Sequence, residues 1–549
     1  MLATLLPAFA ALTARSADTS LPQVVTQDGR HALIVDGEPF LMLGAQSHNS
    51  SDWPEQLPKV WPAIEYLHAN TLETPVYLEQ FEPQPGKFDP SNVDLLLAQA
   101  REHQVRLILL WFGTWKNGSS HYLPLWMKAQ PELYPRIIGR GGRRSDSPSP
   151  HSQAMMDADA HAFGALMRHL KAVDRQHTVI MVQVENEPGS WGSVRDFSPA
   201  AQKLFTGPVP AELLQAMGAG APAGGSWPEV FGTNADEYFN AWSIAHYVGR
   251  VAAAGKAEYP LPLYVNAALR DPLTPGPASS YESGGATDNV LWIWKAAAPA
   301  IDVLAPDIYQ NDSARYYRVL ELYARPDNTL LVPETVTSTT ESRMCFAALG
   351  HGAVGWSPFG LDYTQYGTDP IGSSRTTEAS LAPTALSFKL LEPVMREVAR
   401  LNFAGKLKTA VEEPGTPFQT LDFDGWSAVI NFGEGGRRAA GGNATPVGRA
   451  LVAQRGPDEF LVLGAYCQID FKSQSGGQRD FLRVEEGAYV TPGASSSSLI
   501  SSAMGNRAWE YGGVNGVWRL HHLWNGDETD WGLHFTTGPE ALHVTLGTY

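Results

Sequence analysis

The chain has 549 residues, and its 40 Lys and Arg against 57 Asp and Glu give a formal net charge of −17. A hydrophobic content of 43% supports a large folded core and excludes general disorder. The acidic balance argues against nucleic acid as a partner, two cysteines exclude a disulfide framework or a cysteine zinc fold, and no apolar run reaches the roughly 18 residues of a membrane span.

The N-terminal region, residues 1–20, is apolar and small up to Ala14, and Ala14-Arg15-Ser16 matches an A-x-S cleavage site. It resembles the second half of a secretory signal peptide, although no Lys or Arg precedes the apolar run. We therefore expect a periplasmic or secreted protein and leave a cytoplasmic one open. Two Asp-Gly pairs within residues 24–40 then predict hairpin structure ahead of the main domain.

Eight short apolar runs alternate with helical patterns up to about residue 400, which is typical of a (β/α)₈ TIM barrel. The runs are residues 40–46, 71–78, 106–113, 178–187, 261–267, 301–309, 329–336 and 353–360. The clearest helical patterns are Val93 to His103, Ala154 to Ala172, Ala235 to Ala254 and Thr384 to Ala399. Long connections at 114–152 and 188–234 follow predicted strand ends, where barrel enzymes build their sites.

The last part of the chain has a different pattern, with short alternating strands and Gly, Asp and Asn turns in place of helices. It predicts an antiparallel β-sandwich, whose role is either to support the barrel or to bind sugar. We therefore predict a barrel over residues 21–404 and a β-sandwich domain over residues 405–549.

Two glutamates end the fourth and seventh apolar runs, in Asn186-Glu187-Pro188-Gly189 and in Val332-Pro-Glu334. Strand alternation places Glu185 and Glu187 on one face and Asn186 on the other. Since strands four and seven face each other across a barrel mouth, Glu187 and Glu334 can flank one bond at about 5 Å, the separation of a retaining glycosidase. One carboxylate is then held ionised as nucleophile, and the other keeps a raised pKa and donates a proton.

These motifs resemble the retaining (β/α)₈ glycoside hydrolases, and more narrowly the β-galactosidases of family 35. The stretch 182–190 is similar to the family's Q-x-E-N-E-Y-G motif, and Asn70-Thr71 with the segment 81–89 resembles its N-T…H-E-P-x-P-G-x-F-D segment. The resemblance implies that Glu187 is the acid/base, Glu334 the nucleophile and Asn186 a contact of the sugar 2-hydroxyl.

Departures from the family pattern occur after strands two and three. This chain has Pro75-Val-Tyr77 where the family commonly has Tyr-Val-Pro-Trp-Asn, and Gly113-Thr-Trp115 where it has Ala-Glu-Trp. These features resemble a bacterial subgroup with a distinct C-terminal β-domain. The subgroup implies removal of galactose from plant cell-wall oligosaccharides such as xyloglucan fragments.

Further residues near predicted strand ends are candidate sugar contacts, with packing in the core as the alternative for each aromatic and a solvated charge as the alternative for Lys116. They are Trp111, Trp115, Lys116, Asn117, Tyr309, Trp356 and Glu79. The resemblance implies that Tyr309 hydrogen-bonds the nucleophile.

No metal or cofactor is expected, because His48 has no second ligand nearby and neither an HExxH motif nor a cysteine pair occurs. The sequence thus predicts a retaining exo-β-galactosidase that acts on an oligosaccharide or galactoside, and an oligomer is possible. The alternatives are another β-glycosidase of the same clan, such as an endo-glucanase or mannanase, and a non-catalytic carbohydrate-binding protein.

Overall fold

The computed structural model describes residues 20–310, 312–366, 375–433, 441–490, 516–535, 538 and 541–549. The predicted signal-like segment thus lies outside the described residues except for Ser20. No helix of the described ranges has the length and apolar character needed to cross a membrane.

A three-stranded antiparallel meander precedes the barrel. Its strands are β1 (Gln23–Gln27), β2 (Arg30–Val35) and β3 (Glu38–Phe40). They are joined by Asp28-Gly29 and Asp36-Gly37, all four residues of which have positive φ, from 52° to 81°. Two successive left-handed residues form the turn that matches the twist of a hairpin, so the predicted hairpin structure is present.

Eight parallel strands form the barrel. They are β4 (Met42–Gln46), β5 (Thr71–Tyr77), β6 (Arg106–Lys116), β9 (Val179–Asn186), β10 (Leu263–Ala268), β11 (Val303–Ile308), β12 (Glu334–Thr335) and β13 (Gly355–Trp356). Each corresponds to one predicted run. The sheet runs from β12 through β11, β10, β9, β6, β5 and β4 to β13, and a parallel bridge from Val332 to Trp356 closes it. The predicted barrel is therefore confirmed.

Helices surround the barrel and fill the two long connections. They are α1 (Trp61–Leu67), α2 (Leu78–Phe81), α3 (Ser91–Glu102), α4 (Leu125–Lys128), α5 (Gln153–Val173), α6 (Pro199–Phe205), α7 (Ala211–Ala216), α8 (Trp227–Phe231), α9 (Ala235–Glu258), α10 (Leu291–Ala297), α11 (Ser313–Tyr323), α12 (Met344–Gly350), α13 (Glu378–Leu391) and α14 (Met395–Phe403). The connection after β6 also contains the hairpin β7 (Arg136–Ile138) and β8 (Arg144–Pro148). The helical pattern of Thr384 to Ala399 covers two helices, because Pro393 lies in a 3₁₀ turn between them.

The C-terminal part contains two stacked antiparallel sheets. The first contains β14 (Leu407–Val411), β17 (Arg449–Gly456), β18 (Glu459–Ala465), β20 (Arg479–Val490), β21 (Val517–Leu523) and β23 (Ala541–Thr548). The second contains β15 (Phe418–Asp422), β16 (Trp426–Phe432), β19 (Cys467–Ser473) and β22 (Leu533–Phe535). The predicted antiparallel sandwich is confirmed.

The first sheet is apolar on both faces. Leu451 and Leu461 belong to the core cluster of the barrel, whereas their neighbours Val452 and Val462 belong to the cluster inside the sandwich. This alternation follows from the two-residue period of a strand. The sandwich therefore supports the barrel through a shared apolar layer.

Candidate active site

Polar side chains converge where the barrel strands end. Glu187 directly follows β9, Glu334 begins β12, Asp307 lies in β11 opposite Glu334 in the strand register, and Asn266 lies in β10. One carboxylate oxygen from each of Glu187, Asp307 and Glu334 lies within 4.8 Å of the other two. The structure thus brings together the two glutamates that the sequence singled out and adds a third carboxyl group.

Four donors surround the Glu334 carboxylate. Its Oε1 accepts hydrogen bonds from Gln46 Nε2 at 3.1 Å and Asn186 Nδ2 at 3.1 Å, with Asn266 Nδ2 farther away at 3.4 Å. Its Oε2 accepts a bond of 2.6 Å from the hydroxyl of Tyr309. Donors to both oxygens stabilise a negative charge on Glu334 and fix the orientation of the carboxylate.

Glu187 lies in a different environment: it is 8% exposed, and among the described residues no comparable set of donors surrounds its side chain. Burial raises its pKa to about 7, and the negative charge of Glu334 adds to the rise. Lys116 and Asp307 oppose that rise. The two glutamates therefore have the asymmetry that one acid and one nucleophile require.

The backbone at the end of β9 departs from strand geometry. Glu185 and Glu187 have positive φ, 63° and 43°, in a region that non-glycine residues rarely adopt. The amide of Glu187 donates to Asn266 Oδ1 at 2.8 Å, which stabilises this conformation. Strained residues of this kind concentrate at functional sites.

This backbone conformation overturns the predicted alternation of β9. Asn186 donates to Glu334 and accepts from Lys116 Nζ at 2.8 Å, so it lies with the two glutamates at the strand ends. Glu185 instead accepts from the amide of Trp115 at 2.7 Å and lies beside Asp159 of helix α5. Left-handed φ at Glu185 breaks the two-residue period on which the prediction depended.

Among the other predicted contacts, Tyr309, Lys116 and Asn117 lie at the site. Lys116 Nζ also donates to Asn117 Oδ1, and the amide of Asn117 donates to the carbonyl of Asn186 at 3.1 Å. The turn after β6 is thereby attached to the end of β9.

Four predicted contacts lie elsewhere. Trp111 is fully buried and donates to Asp159 of α5 at 2.8 Å, and Trp356 donates to Tyr316 of α11 at 2.9 Å, so both indoles lie between strand and helix. Trp115 is also buried. Its indole N–H donates to the carbonyl of Gly189 at 3.0 Å and so stabilises the turn after Glu187. Glu79 forms an exposed ion pair with Lys128.

The prediction missed Gln46 and Asn266 and did not include Asp307 among the site residues. Each is a polar residue within an otherwise apolar barrel run, which is a signal that the sequence contained. An unpaired polar group is costly inside a barrel, so each such residue predicts a partner there.

A further carboxyl group lies in β5. Glu73 is fully buried, and its Oε2 accepts a bond of 2.9 Å from the hydroxyl of Tyr264. Burial raises its pKa to about 8, with a contribution from the charge of Glu334, while Ser357 and Tyr264 oppose the rise. Glu73 is therefore largely protonated at neutral pH.

The spacing of Glu187, Asp307 and Glu334 also suits a divalent cation geometrically. However, amide donors already take Glu334 Oε1, and the Tyr309 phenol takes one of the acceptor positions of Oε2. These donors suit a carboxylate held in place by hydrogen bonds.

Fold and site together define a class of protein: a (β/α)₈ barrel with two buried carboxylates at the ends of its fourth and seventh strands. Residues 384–536 match the family model described as a domain of unknown function, DUF5597. A β-galactosidase of Xanthomonas manihotis is 29% identical over 214 residues, which cover 36% of this chain and 32% of that protein.

Other relatives are also β-galactosidases. Beta-galactosidase 11 of Arabidopsis thaliana is 33% identical over 121 residues, 20% of this chain and 13% of that protein. The solved structure of a β-galactosidase from Rahnella sp. R3 has a TM-score of 0.46 at 15% identity, over 66% of this chain and 58% of that chain. The chain thus matches a third or less of the curated relatives' length, and these relatives confirm its resemblance to the family 35 β-galactosidases.

Proposed function

We propose that the protein is a retaining exo-β-galactosidase. The observation that carries this proposal is the pair of carboxylates, Glu187 and Glu334, of which one oxygen each lies within 4.8 Å of the other. Retaining glycosidases hold their two carboxyl groups about 5–5.5 Å apart and inverting enzymes about 6.5–9.5 Å, so this close approach favours retention. The different surroundings of the two groups support Glu187 as the acid/base and Glu334 as the nucleophile.

In the first step, Glu334 attacks the anomeric carbon while Glu187 donates its proton to the leaving glycosidic oxygen. The donors around Glu334 aim its carboxylate, and the raised pKa of Glu187 keeps it protonated up to about pH 7. In the second step, the Glu187 carboxylate takes a proton from water, the water oxygen bonds to the anomeric carbon, and the bond from that carbon to Glu334 breaks. Asn186, next to both, is the proposed contact of the sugar 2-hydroxyl.

The names of the curated relatives support galactose as the sugar removed. We propose galactose-bearing plant cell-wall oligosaccharides such as xyloglucan fragments as natural substrates, on the resemblance to the bacterial subgroup. The signal-like segment at residues 1–14 supports a periplasmic or secreted location.

The test is a panel of aryl β-glycosides, read together with the anomer released first in an NMR time course. We expect the β-galactoside to be cleaved fastest and the β-anomer to appear first. The Glu334→Gln variant provides the blank. Initial release of the α-anomer would contradict retention, and no turnover of any glycoside would favour a binding protein.

A second assay separates exo from endo action. Galactosylated xyloglucan oligosaccharides should release free galactose and no shorter oligosaccharides. Internal cleavage products would instead indicate an endo-acting glycosidase on the same barrel.

A further inference from the structure

The third carboxyl group of the site, Asp307, has no role in the mechanism above. It is 2% exposed, and its Oδ2 accepts a bond of 2.7 Å from Asn266 Nδ2. Asn266 Oδ1 in turn accepts from the amide of Glu187 at 2.8 Å. One amide side chain therefore fixes Asp307 relative to the acid/base.

The other oxygen, Asp307 Oδ1, is buried and meets no N–H or O–H donor among the described residues. One oxygen of the Asp307 carboxyl lies within 4.8 Å of one oxygen of Glu187 and of one oxygen of Glu334. Three buried carboxylates this close would repel one another strongly if all were ionised, which favours a proton on one of them. The oxygen without a donor is the one free to carry it.

The charged and titratable groups that face Asp307 come from several barrel strands and from α11. They are Glu187 after β9, Glu334 of β12, Lys116 of β6, Tyr264 of β10, Tyr309 after β11 and Tyr323 of α11. Burial raises the pKa of Asp307 most, both carboxylates add to the rise, and among the described residues the cation that opposes them is Lys116. The surroundings thus favour a neutral Asp307.

We infer that Asp307 is a positioning residue that remains protonated through the reaction and donates its O–H to the carboxyl group of Glu187. Before proton transfer, this bond orients the Glu187 acid toward the leaving group. Afterwards it stabilises the Glu187 carboxylate, as a charge-assisted bond does. In the second step Glu187 takes its proton from water, and Asp307 keeps its own, so no proton is gained or lost at Asp307.

The kinetic test rests on the proposed function and compares Asp307→Asn with Asp307→Ala. Asn offers an N–H in place of the O–H, so we expect at most a ten-fold loss in kcat/KM and an unchanged basic limb of its pH profile. Ala offers no donor, so we expect at least a hundred-fold loss and a basic limb at higher pH. Asp157→Asn, on the exposed face of α5, is the matched control.

A basic limb that moves to lower pH in Asp307→Asn would overturn the proposal, because that shift means a negative charge was removed from beside Glu187. Equal losses in Asn and Ala without any shift of the limb would also overturn it, since they indicate a merely structural residue. Thermal melts of both variants verify folding.

An infrared measurement tests the proton on Asp307 without any turnover. The difference spectrum of the unmodified chain minus Asp307→Asn at pH 8 should contain the C=O band of a protonated carboxylic acid. A carboxylate band in its place would refute the proposal. If no galactoside is cleaved, the proposed function fails, but this spectrum still reports the state of Asp307.

Discussion

Glu73 provides a test of the buried charges through stability. Burial raises its pKa to about 8, against an ordinary value of 4.5 that the unfolded chain retains. Between these values the folded chain binds about one more proton than the unfolded chain, so the free energy of unfolding decreases as pH rises. At about 1.4 kcal/mol for each pH unit, the loss is about 4–5 kcal/mol by pH 8.

Gln at this position does not ionise and still accepts the bond from the Tyr264 hydroxyl. We therefore expect Glu73→Gln to match the unmodified chain near pH 4.5 and to be more stable by about 4 kcal/mol at pH 8. Urea denaturation at several pH values measures the difference. Glu132→Gln, with a side chain 88% exposed, is the control and should show no such trend.

Equal stability of Glu73→Gln and the unmodified chain at pH 8 would refute the reasoning, since Glu73 would then ionise at little cost. If the difference in unfolding free energy is the same at every pH, its cause is packing and not the ionisation of Glu73. Because the charge of Glu334 contributes to the raised pKa of Glu73, the benefit of Glu73→Gln should be smaller in a Glu334→Gln background.

Four further predictions concern the site and the barrel. Glu334→Gln should reduce kcat by at least about 10⁴-fold while calorimetry still detects galactoside binding, because the nucleophile is lost but the pocket remains. Activity should decline above about pH 7, where Glu187 loses its proton, and azide should partly restore Glu187→Ala on aryl substrates with good leaving groups. Tyr309→Phe removes the 2.6 Å bond to Glu334 and should reduce kcat about 10–100-fold, as expected for a bond to a charged group. Arg396→Met should lower the unfolding free energy by about 3 kcal/mol in denaturant melts, because the buried guanidinium donates to the carbonyls of Val35 and Glu38.

Each of these has a contrary outcome. Full activity in Glu334→Gln would exclude it as nucleophile, and a basic limb that persists in Glu187→Ala would assign that limb to another group. An unchanged kcat in Tyr309→Phe would show that its hydroxyl does not position the carboxylate. If the unfolding free energy of Arg396→Met lies within about 0.5 kcal/mol of that of the unmodified chain, these carbonyls find other partners.

The barrel was predictable because its signal is repeated along the chain. Eight apolar runs separated by helical patterns leave few other architectures, and each run became a strand of the closed sheet. Strand lengths were less predictable: the seventh pairs regularly only at Glu334–Thr335, directly after Pro333, which has no N–H to donate.

The sequence by itself placed Glu187 and Glu334 at strand ends, because an acidic residue that ends an apolar run must lie at the mouth of the barrel. Position along a strand does not determine which way a side chain points once the backbone leaves strand geometry. The left-handed φ at Glu185 turned that carboxylate toward α5 and brought Asn186 to Glu334. Trp111 and Trp356 likewise point to the helices, and only the tertiary structure gathered Gln46, Asn266 and Asp307 from three separate strands around the two glutamates. Those contacts join residues distant in sequence, and for that reason no local pattern specifies them.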